Sequence, residues 1–171
     1  MVVGAVFEFI LGNTFPFVVF GTIGAFFLTY GTTLTPFYNA AGAYTPDNPA
    51  AGAADPGFLA TFAFFFLWIG FMCFIYLICS LRTNIIFFMI FLLLVPTFCC
   101  LAGSFWQAAQ GNSATALTLQ HAGGGLAFAA CLFGWYLFLA LLLASVDFPL
   151  GLPVGDLSRF IKGASEKQKA A

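Results

Sequence analysis

The chain has 171 residues, of which 62% are hydrophobic and only 6% are charged, and its formal net charge is −1. A soluble domain carries about a quarter charged residues, so this composition excludes a water-facing globular domain. There is no basic stripe for nucleic acid. The charged residues between Asn13 and Leu143 are Asp47, Asp55 and Arg82.

The first predicted element is a short helix in residues 1–11, with the sequence MVVGAVFEFIL. It is apolar, but it is much shorter than the roughly 20 residues that a membrane-crossing helix needs. A secretory signal would begin with a basic region, which this segment lacks. We therefore interpret it as a partial helix, the last turns of an earlier helix that reaches the membrane surface.

Four long apolar runs follow, and each exceeds the roughly 18 residues that indicate a transmembrane helix. They cover about residues 16–37, 58–80, 84–106 and 115–145. Unpaired backbone groups are excluded from lipid, and the runs are too long for barrel strands, so we expect helices. The sequence predicts an all-α membrane protein, a polytopic helical bundle. Its transmembrane domain would cover residues 1–147, with four full helices and the partial one, and residues 148–171 would form a polar tail.

The basic residues predict the orientation of the bundle. Arg82 lies in the tight turn between the second and third runs. The other basic residues follow the last run: Arg159, Lys162, Lys167 and Lys169. Four crossings place this turn and the tail on one side, and the opposite loops contain no Lys or Arg. The positive-inside rule predicts that the turn, the tail and the segment before Pro16 are cytoplasmic.

Small residues recur at helical spacing in two of the runs. In the first run they are Gly21, Ala25, Thr29 and Thr32. In the last run they are Gly123, Ala127, Ala130 and Gly134. Helices in lipid associate through close contact between small residues, so we expect both faces to pack against neighbouring helices. The same faces could also line a narrow path with hydroxyl and backbone groups.

Polar residues cluster around the end of the short helix. Glu8 is the only acidic residue inside an apolar segment, and an ionisable group at membrane depth is a functional candidate. Two roles remain open for it, proton coupling or a structural pairing. We expect Gly12 to end the short helix in the left-handed conformation. We expect Thr14 to accept the backbone N–H of Phe17 as the N-cap of the next helix.

The remaining candidates favour structure over chemistry. His121 stands without a second ligand and is interpreted as an interfacial hydrogen-bonding residue. The five cysteines lie in apolar runs without CxxC spacing and resemble small hydrophobic residues. Pro96 predicts a kink, because it removes the N–H that would bond the carbonyl of Leu92. No metal, cofactor or enzyme site is predicted, since no two titratable residues in the runs can be paired.

The stretch EFILGNTFPFVVFGTIGAFF, residues 8–27, resembles the acetate uptake transporter family of succinate–acetate permeases and fungal acetate and ammonium exporters. The matching features are Glu8, the GNTF of residues 12–15 and the IGAFF of residues 23–27. LAGSF from Leu101 is similar to the end of the family's fifth helix, and HAGGGLAFAACLFGWY from His121 to its sixth. The likeness covers almost the whole chain, and VDFPLGLPVGDLSRF is similar to fungal members.

The resemblance implies a six-helix pattern in which the four runs are helices three to six, so we expect helix one and most of helix two to be missing. It also implies an apolar constriction. The constriction contains a helix-one aromatic without a counterpart here, a tyrosine at the position of Ile23 and a leucine at Leu93. Gly134 matches the small residue associated with pore width. The candidate substrate-binding residues are Asn13, Thr14, Ile23, Leu93 and Gly134, and Glu8 is the proton-coupling candidate.

In function, the resemblance implies a transporter or channel subunit for small monocarboxylates such as acetate, optionally proton-coupled. It implies a homohexamer, and we expect a plasma-membrane protein without a cofactor or a nucleic-acid partner. The runs contain no Lys or Arg to pair a carboxylate. Recognition would rest on hydroxyls, Asn13 and helix N-termini, or the acid would pass protonated. Two alternatives remain open: an ammonium or ammonia exporter, and a non-transporting four-helix membrane protein such as a scaffold or partial gene product.

Overall fold

The computed structural model describes residues 1–158 and residue 161. Within them the chain forms five α-helices: α1 (Val2–Ile10), α2 (Thr14–Leu34), α3 (Pro56–Ser80), α4 (Ile85–Ala109) and α5 (Ser113–Ser145). Three 3₁₀ turns connect α2 to α3: Pro36–Tyr38, Gly42–Tyr44 and Pro49–Ala54. In this part of the chain, α2 to α5 are long and apolar enough to cross a membrane. The predicted all-α, polytopic fold is confirmed.

The chain folds as two compact units, Met1–Thr61 and Phe62–Ala171. In the first unit, α1 and α2 pack as a helical hairpin. A Cβ atom on Gly24 would lie 2.8 Å from Cγ2 of Val2 and 3.0 Å from the Val2 backbone nitrogen. A Cβ atom on Gly21 would lie 3.7 Å from Cβ of Ala5. Glycine therefore lets the two backbones approach closely, as expected for helices in lipid.

The packing face of α2 differs from the predicted one. Its buried residues are Val19, Ile23, Gly24 and Phe26. Ala25, Thr29 and Thr32 are exposed instead. The Thr32 hydroxyl donates to the carbonyls of Leu28 at 3.0 Å and Thr29 at 2.9 Å. Because this hydroxyl is satisfied within its own helix, it does not require a neighbouring helix.

The ends of α2 also differ from the predicted residues 16–37. Thr35 is extended, with φ −79° and ψ 119°, because the ring of Pro36 disfavours helical backbone in the residue before it. At the other end, Pro16 lies in the first turn, where a backbone N–H has no helical acceptor in any case. The first backbone bond runs from the Phe17 N–H to the Asn13 carbonyl at 3.0 Å. The helix therefore includes Thr14.

The connection after α2 ends in a side-chain cap on α3. Asp55 accepts the backbone N–H groups of Gly57 at 2.8 Å and Phe58 at 3.1 Å through one carboxylate oxygen. The Tyr44 ring packs edge-on against the Phe58 ring, with centroids 5.6 Å apart. These contacts explain why α3 begins at Pro56 rather than near residue 58. The loop predicted from its Pro, Gly and Asp content is thus anchored to the helix that follows it.

In the second unit, α4 and α5 pack as another helical hairpin. The buried Ser104 hydroxyl donates to the carbonyl of Ala116 at 2.8 Å. A Cβ atom on Gly123 would lie 3.3 Å from Cβ of Cys100 and 3.3 Å from the Thr97 carbonyl oxygen. A buried hydrogen bond and a close glycine contact therefore connect the two helices. The helices run Ile85–Ala109 and Ser113–Ser145, rather than about 84–106 and 115–145.

The contact between α3 and α4 is aromatic. The rings of Phe66 and Phe105 lie with centroids 5.1 Å apart, and both Phe66 and Phe91 are buried. A Cβ atom on Gly70 would lie 3.1 Å from Cβ of Phe98. Phe98 of α4 therefore packs closely against Gly70 of α3, which has no side chain to exclude it.

The described part of the tail folds back on the turn between α3 and α4. The Ile85 N–H donates to the Gly155 carbonyl at 2.9 Å, and the Leu157 N–H donates to the Thr83 carbonyl at 3.0 Å. The turn that contains Arg82 and the base of the tail therefore lie at the same end of these helices. The remaining basic residues lie outside the described residues, and their predicted side stays a prediction: Arg159, Lys162, Lys167 and Lys169.

Candidate functional site

The predicted site residues are distributed over both units. Glu8, Asn13, Thr14 and Ile23 belong to the first unit, and Leu93 and Gly134 belong to the second. Each group is described within its own unit. Within the first unit, a hydrogen bond joins Glu8 and Asn13.

A turn after α1 produces this contact. Gly12 has φ +79°, so the predicted left-handed conformation is confirmed. The Gly12 N–H donates to the Phe9 carbonyl at 3.1 Å, and the Asn13 N–H donates to the Glu8 carbonyl at 2.9 Å. These two bonds constitute a Schellman motif, which satisfies carbonyls at the end of a helix. The Asn13 side-chain amide then donates to a Glu8 carboxylate oxygen at 2.8 Å.

The prediction that Thr14 caps α2 is wrong. Asn13 occupies the N-cap position, and neither residue makes a side-chain cap bond to the first turn. The Schellman turn places Asn13, not Thr14, at the helix boundary, and the Asn13 side chain points back to Glu8. Thr14 is the first helical residue and is exposed. Its predicted contact with substrate stays a prediction.

Ile23 lies on the buried face of α2 and is 9% exposed. It stands beside Gly24, the residue that contacts Val2 of α1. An isoleucine here supplies apolar bulk but no hydrogen-bond donor. The side chain therefore cannot bind a carboxylate through a hydrogen bond, and its predicted contact with substrate stays a prediction.

Leu93 lies on α4, one turn before the predicted kink. Pro96 is inside the helix and has no N–H to offer the Leu92 carbonyl. The hydroxyl of Thr97 donates to the Leu93 carbonyl at 2.8 Å, and Thr97 is only 2% exposed. Thr97 was not among the residues selected from the sequence, although a threonine directly after a mid-helix proline is a recognisable signal.

Gly134 lies on α5 in an apolar surface depression together with Cys131, Trp135 and Phe138. A Cβ atom on Gly134 would meet no atom within 4 Å. Gly123, on the same predicted face, does pack closely against α4. The small-residue face of α5 therefore makes a close helix contact near its start, while the space around Gly134 is open.

The other polar candidates do not assemble into a chemical site. His121 is exposed on α5. The described residues contain no group of three or more His, Cys, Asp or Glu side chains that could hold a metal ion. The polar chemistry described above is thus made of hydrogen bonds at helix ends and beside Pro96.

Sequence comparison relates these features to known proteins. The sequence model of the GPR1/FUN34/yaaH family matches residues 1–159. The chain belongs to the GPR1/FUN34/yaaH family. The match confirms the resemblance to acetate uptake transporters that GNTF and the glycine-rich last helix indicated. The GPR1/FUN34/yaaH family is one of acetate transporters and not of enzymes.

The relatives alcS and patA are fungal proteins. Protein alcS from two strains of Aspergillus fumigatus is 45% identical over 162 residues, 94% of this chain. The acetate transporter protein patA of Penicillium expansum is 26% identical over 169 residues, and that of Aspergillus clavatus is 28% identical over 159 residues, covering 99% and 93% of this chain. The chain spans 60% of the length of alcS and 65% and 61% of the patA proteins. No solved structure matches the chain significantly.

Proposed function

We propose that this chain forms part of a membrane transporter or channel for small monocarboxylates such as acetate. The observation that carries the proposal is the family match along residues 1–159. It is supported by two relatives that are named acetate transporters and that match at least 93% of this chain. The four helices that are long and apolar enough to cross a membrane provide a suitable scaffold.

The chemistry of the helices favours passage of the protonated acid. Helices α2 to α5 contain no Lys or Arg, so a carboxylate among them would lack a counter-ion, which is costly in a membrane. The hydroxyls of Thr22 and Thr33 donate within α2 itself, to the carbonyls of Val18 and Thr29, each at 2.8 Å. A neutral acid needs no cationic partner, and we propose that acetate crosses in this form.

By family resemblance, we propose that Ile23, Leu93 and Gly134 face the substrate path. We also propose a homohexamer in the plasma membrane with the C-terminus in the cytoplasm. Ile23 and Leu93 supply apolar bulk, and Gly134 leaves open space beside its backbone. An apolar, narrow passage would exclude ions more strongly than a small neutral acid.

Uptake of radiolabelled acetate into proteoliposomes tests the proposal. Because the chain spans 60% of the length of alcS, the assay compares the chain alone with the chain preceded by the N-terminal segment of alcS. We expect saturable uptake by the longer protein, increasing as the external pH is lowered, and little uptake by the chain alone. Ile23→Tyr in the longer protein adds a hydroxyl donor and should increase selectivity for acetate over longer acids.

Two outcomes would overturn the proposal. A longer protein that is monodisperse in detergent yet takes up no acetate would not be a monocarboxylate transporter. Transport of methylammonium without transport of acetate would favour the ammonium exporter alternative. Saturable and selective acetate uptake by the chain alone would retain the transport function but contradict our expectation that further helices are required.

A further inference from the structure

The turn after α4 has the same geometry as the turn after α1. Gly111 has φ +79°. The Gly111 N–H donates to the Ala108 carbonyl at 3.0 Å, and the Asn112 N–H donates to the Gln107 carbonyl at 2.9 Å. The Asn112 side-chain amide then donates to the Gln107 side-chain oxygen at 2.9 Å. Each bond has its counterpart in the turn formed by Glu8, Gly12 and Asn13.

The start of the next helix is also the same in both places. Asn13 has φ −85° and ψ 79°, and Asn112 has φ −83° and ψ 63°. The carbonyls of these asparagines accept the first backbone N–H of the following helix, from Phe17 and Ala116, both at 3.0 Å. The two asparagines therefore share one backbone conformation. In it, the side chain donates to the preceding helix and the carbonyl accepts from the following helix.

The end of α5 shows that the turns after α1 and α4 share more than the backbone geometry that is common at helix ends. After α5, Asp147 has φ +51°. Its N–H donates to the Ala144 carbonyl at 3.3 Å, and the Phe148 N–H donates to the Leu143 carbonyl at 3.0 Å. This is again a Schellman motif, but Leu143 and Phe148 have no polar side-chain atoms to pair. The polar side-chain pair is thus a shared property of the first two turns, beyond their backbone motif.

The correspondence extends along both hairpins, and each residue of the first hairpin is separated from its counterpart in the second by the same number of positions in the sequence. At this spacing, identical or chemically similar residues face each other in the alignment of the two hairpins: Gly4 with Gly103, Glu8 with Gln107, Gly12 with Gly111, Asn13 with Asn112, Thr14 with Ser113 and Gly24 with Gly123. Identical or chemically similar residues therefore occur on both helices of each hairpin, and not only in the turn.

The helix contacts follow the same register. A Cβ atom on Gly24 would lie 3.1 Å from Cβ of Met1 and 2.8 Å from Cγ2 of Val2. A Cβ atom on Gly123 would lie 3.3 Å from Cβ of Cys100 and 3.5 Å from Cδ2 of Leu101. Cys100 and Leu101 are the counterparts of Met1 and Val2 at the same spacing. Equivalent glycines thus contact equivalent positions.

We infer that α1–α2 and α4–α5 are two copies of one helical hairpin, in which Glu8 and Gln107 perform the same positioning role. Each side-chain oxygen holds the turn asparagine against the last turn of the preceding helix. Gln107 does this without an ionisable group. The role therefore requires a hydrogen-bond acceptor and not a proton carrier, which distinguishes between the two roles that the sequence leaves open for Glu8.

Conservative and disruptive substitutions of the acceptor provide the first test. The full chain is purified in detergent, and its thermal unfolding midpoint is measured. We expect Glu8→Gln and Gln107→Glu to leave the midpoint unchanged, because both retain an acceptor oxygen. Glu8→Ala and Gln107→Ala should each lower it by about 2–4 °C, the shift associated with one lost hydrogen bond in a chain of this size. A Glu8→Gln midpoint as low as that of Glu8→Ala would overturn the inference.

The asparagines provide a sharper test because the two copies should respond differently. Asn13→Asp removes the amide donor and places two carboxylates face to face, so it should lower the midpoint. Asn112→Asp faces an amide that can rotate to donate, so it should be tolerated. Adding Glu8→Gln to Asn13→Asp should restore the wild-type midpoint. Equal effects of the two Asp substitutions, or failure of this rescue, would contradict the shared role.

A pH profile separates a positioning role from proton coupling. In the longer protein used for uptake, Glu8→Gln should keep the wild-type dependence of acetate uptake on external pH. A flattened profile would show that the Glu8 proton takes part in transport and would overturn the inference. If wild type takes up no acetate, the proposed function fails, whereas the unfolding midpoints still decide whether the two hairpins are equivalent.

Discussion

The side chains of Asn13 and Glu8 are joined by a 2.8 Å hydrogen bond across a turn centred on Gly12. The bond connects the last turn of α1 to the residue directly before α2. It forms because the left-handed glycine reverses the chain and brings the residue after it over the preceding helix end. The angle between the two helices of this hairpin therefore depends on a backbone conformation that few residues adopt.

Gly12→Ala should destabilise the hairpin. Gly12 has φ +79°, and a residue with a Cβ atom pays about 1–2 kcal/mol to adopt the left-handed conformation. Gly4→Ala is the matched control, because Gly4 lies inside α1 and its Cβ would meet nothing within 4 Å. Thermal unfolding in detergent should show a lower midpoint for Gly12→Ala and an unchanged or higher one for Gly4→Ala. Equal midpoints would contradict the turn geometry.

Gly24→Ala should loosen the contact between α1 and α2. Its Cβ would lie 2.8 Å from Cγ2 and 3.0 Å from the backbone nitrogen of Val2, so the start of α1 must shift away from α2. Gly31→Ala on the same helix meets nothing within 4 Å and serves as the control. We expect a loss of about 1–3 kcal/mol for Gly24→Ala, measured by chemical unfolding in detergent. A stability equal to that of Gly31→Ala would show that the two helices do not pack closely.

Gly134→Leu tests the proposed substrate path. A Cβ atom at Gly134 meets nothing within 4 Å, so the fold should accept the larger side chain. If Gly134 faces the path, acetate uptake by the longer protein should fall severalfold while size-exclusion chromatography shows unchanged assembly. Gly124→Leu, at another open position on α5, is the control and should keep uptake. Unchanged uptake and assembly in Gly134→Leu would indicate that this residue faces lipid.

The orientation can be tested at the tail. The bonds from Ile85 to Gly155 and from Leu157 to Thr83 hold the base of the tail at the Arg82 turn. The positive-inside rule predicts that this end is cytoplasmic. Trypsin added to intact cells should leave a C-terminal epitope tag attached, and permeabilisation should allow its removal. Cleavage after Lys167 in intact cells would reverse the predicted orientation.

Much of the helical architecture was predictable from local chemistry. Long apolar runs must form helices in a bilayer whatever their neighbours, because lipid offers no partner for backbone polar groups. The left-handed conformation of Gly12 likewise follows from a property of a single residue, the absence of a Cβ atom. These features depend on the local sequence and on the lipid solvent, so the composition of the runs and the position of Gly12 were sufficient to predict them.

Other features depended on which groups meet in three dimensions. The capping role expected for Thr14 was lost because the turn directs Asn13 towards Glu8 and places Asn13 at the helix boundary. The face of α2 that packs was decided by contact of Gly24 with Val2, although the spacing of Gly21 and Ala25 predicts another face. Small residues occur on more than one side of a helix, and only the approach of the neighbouring backbone selects between them.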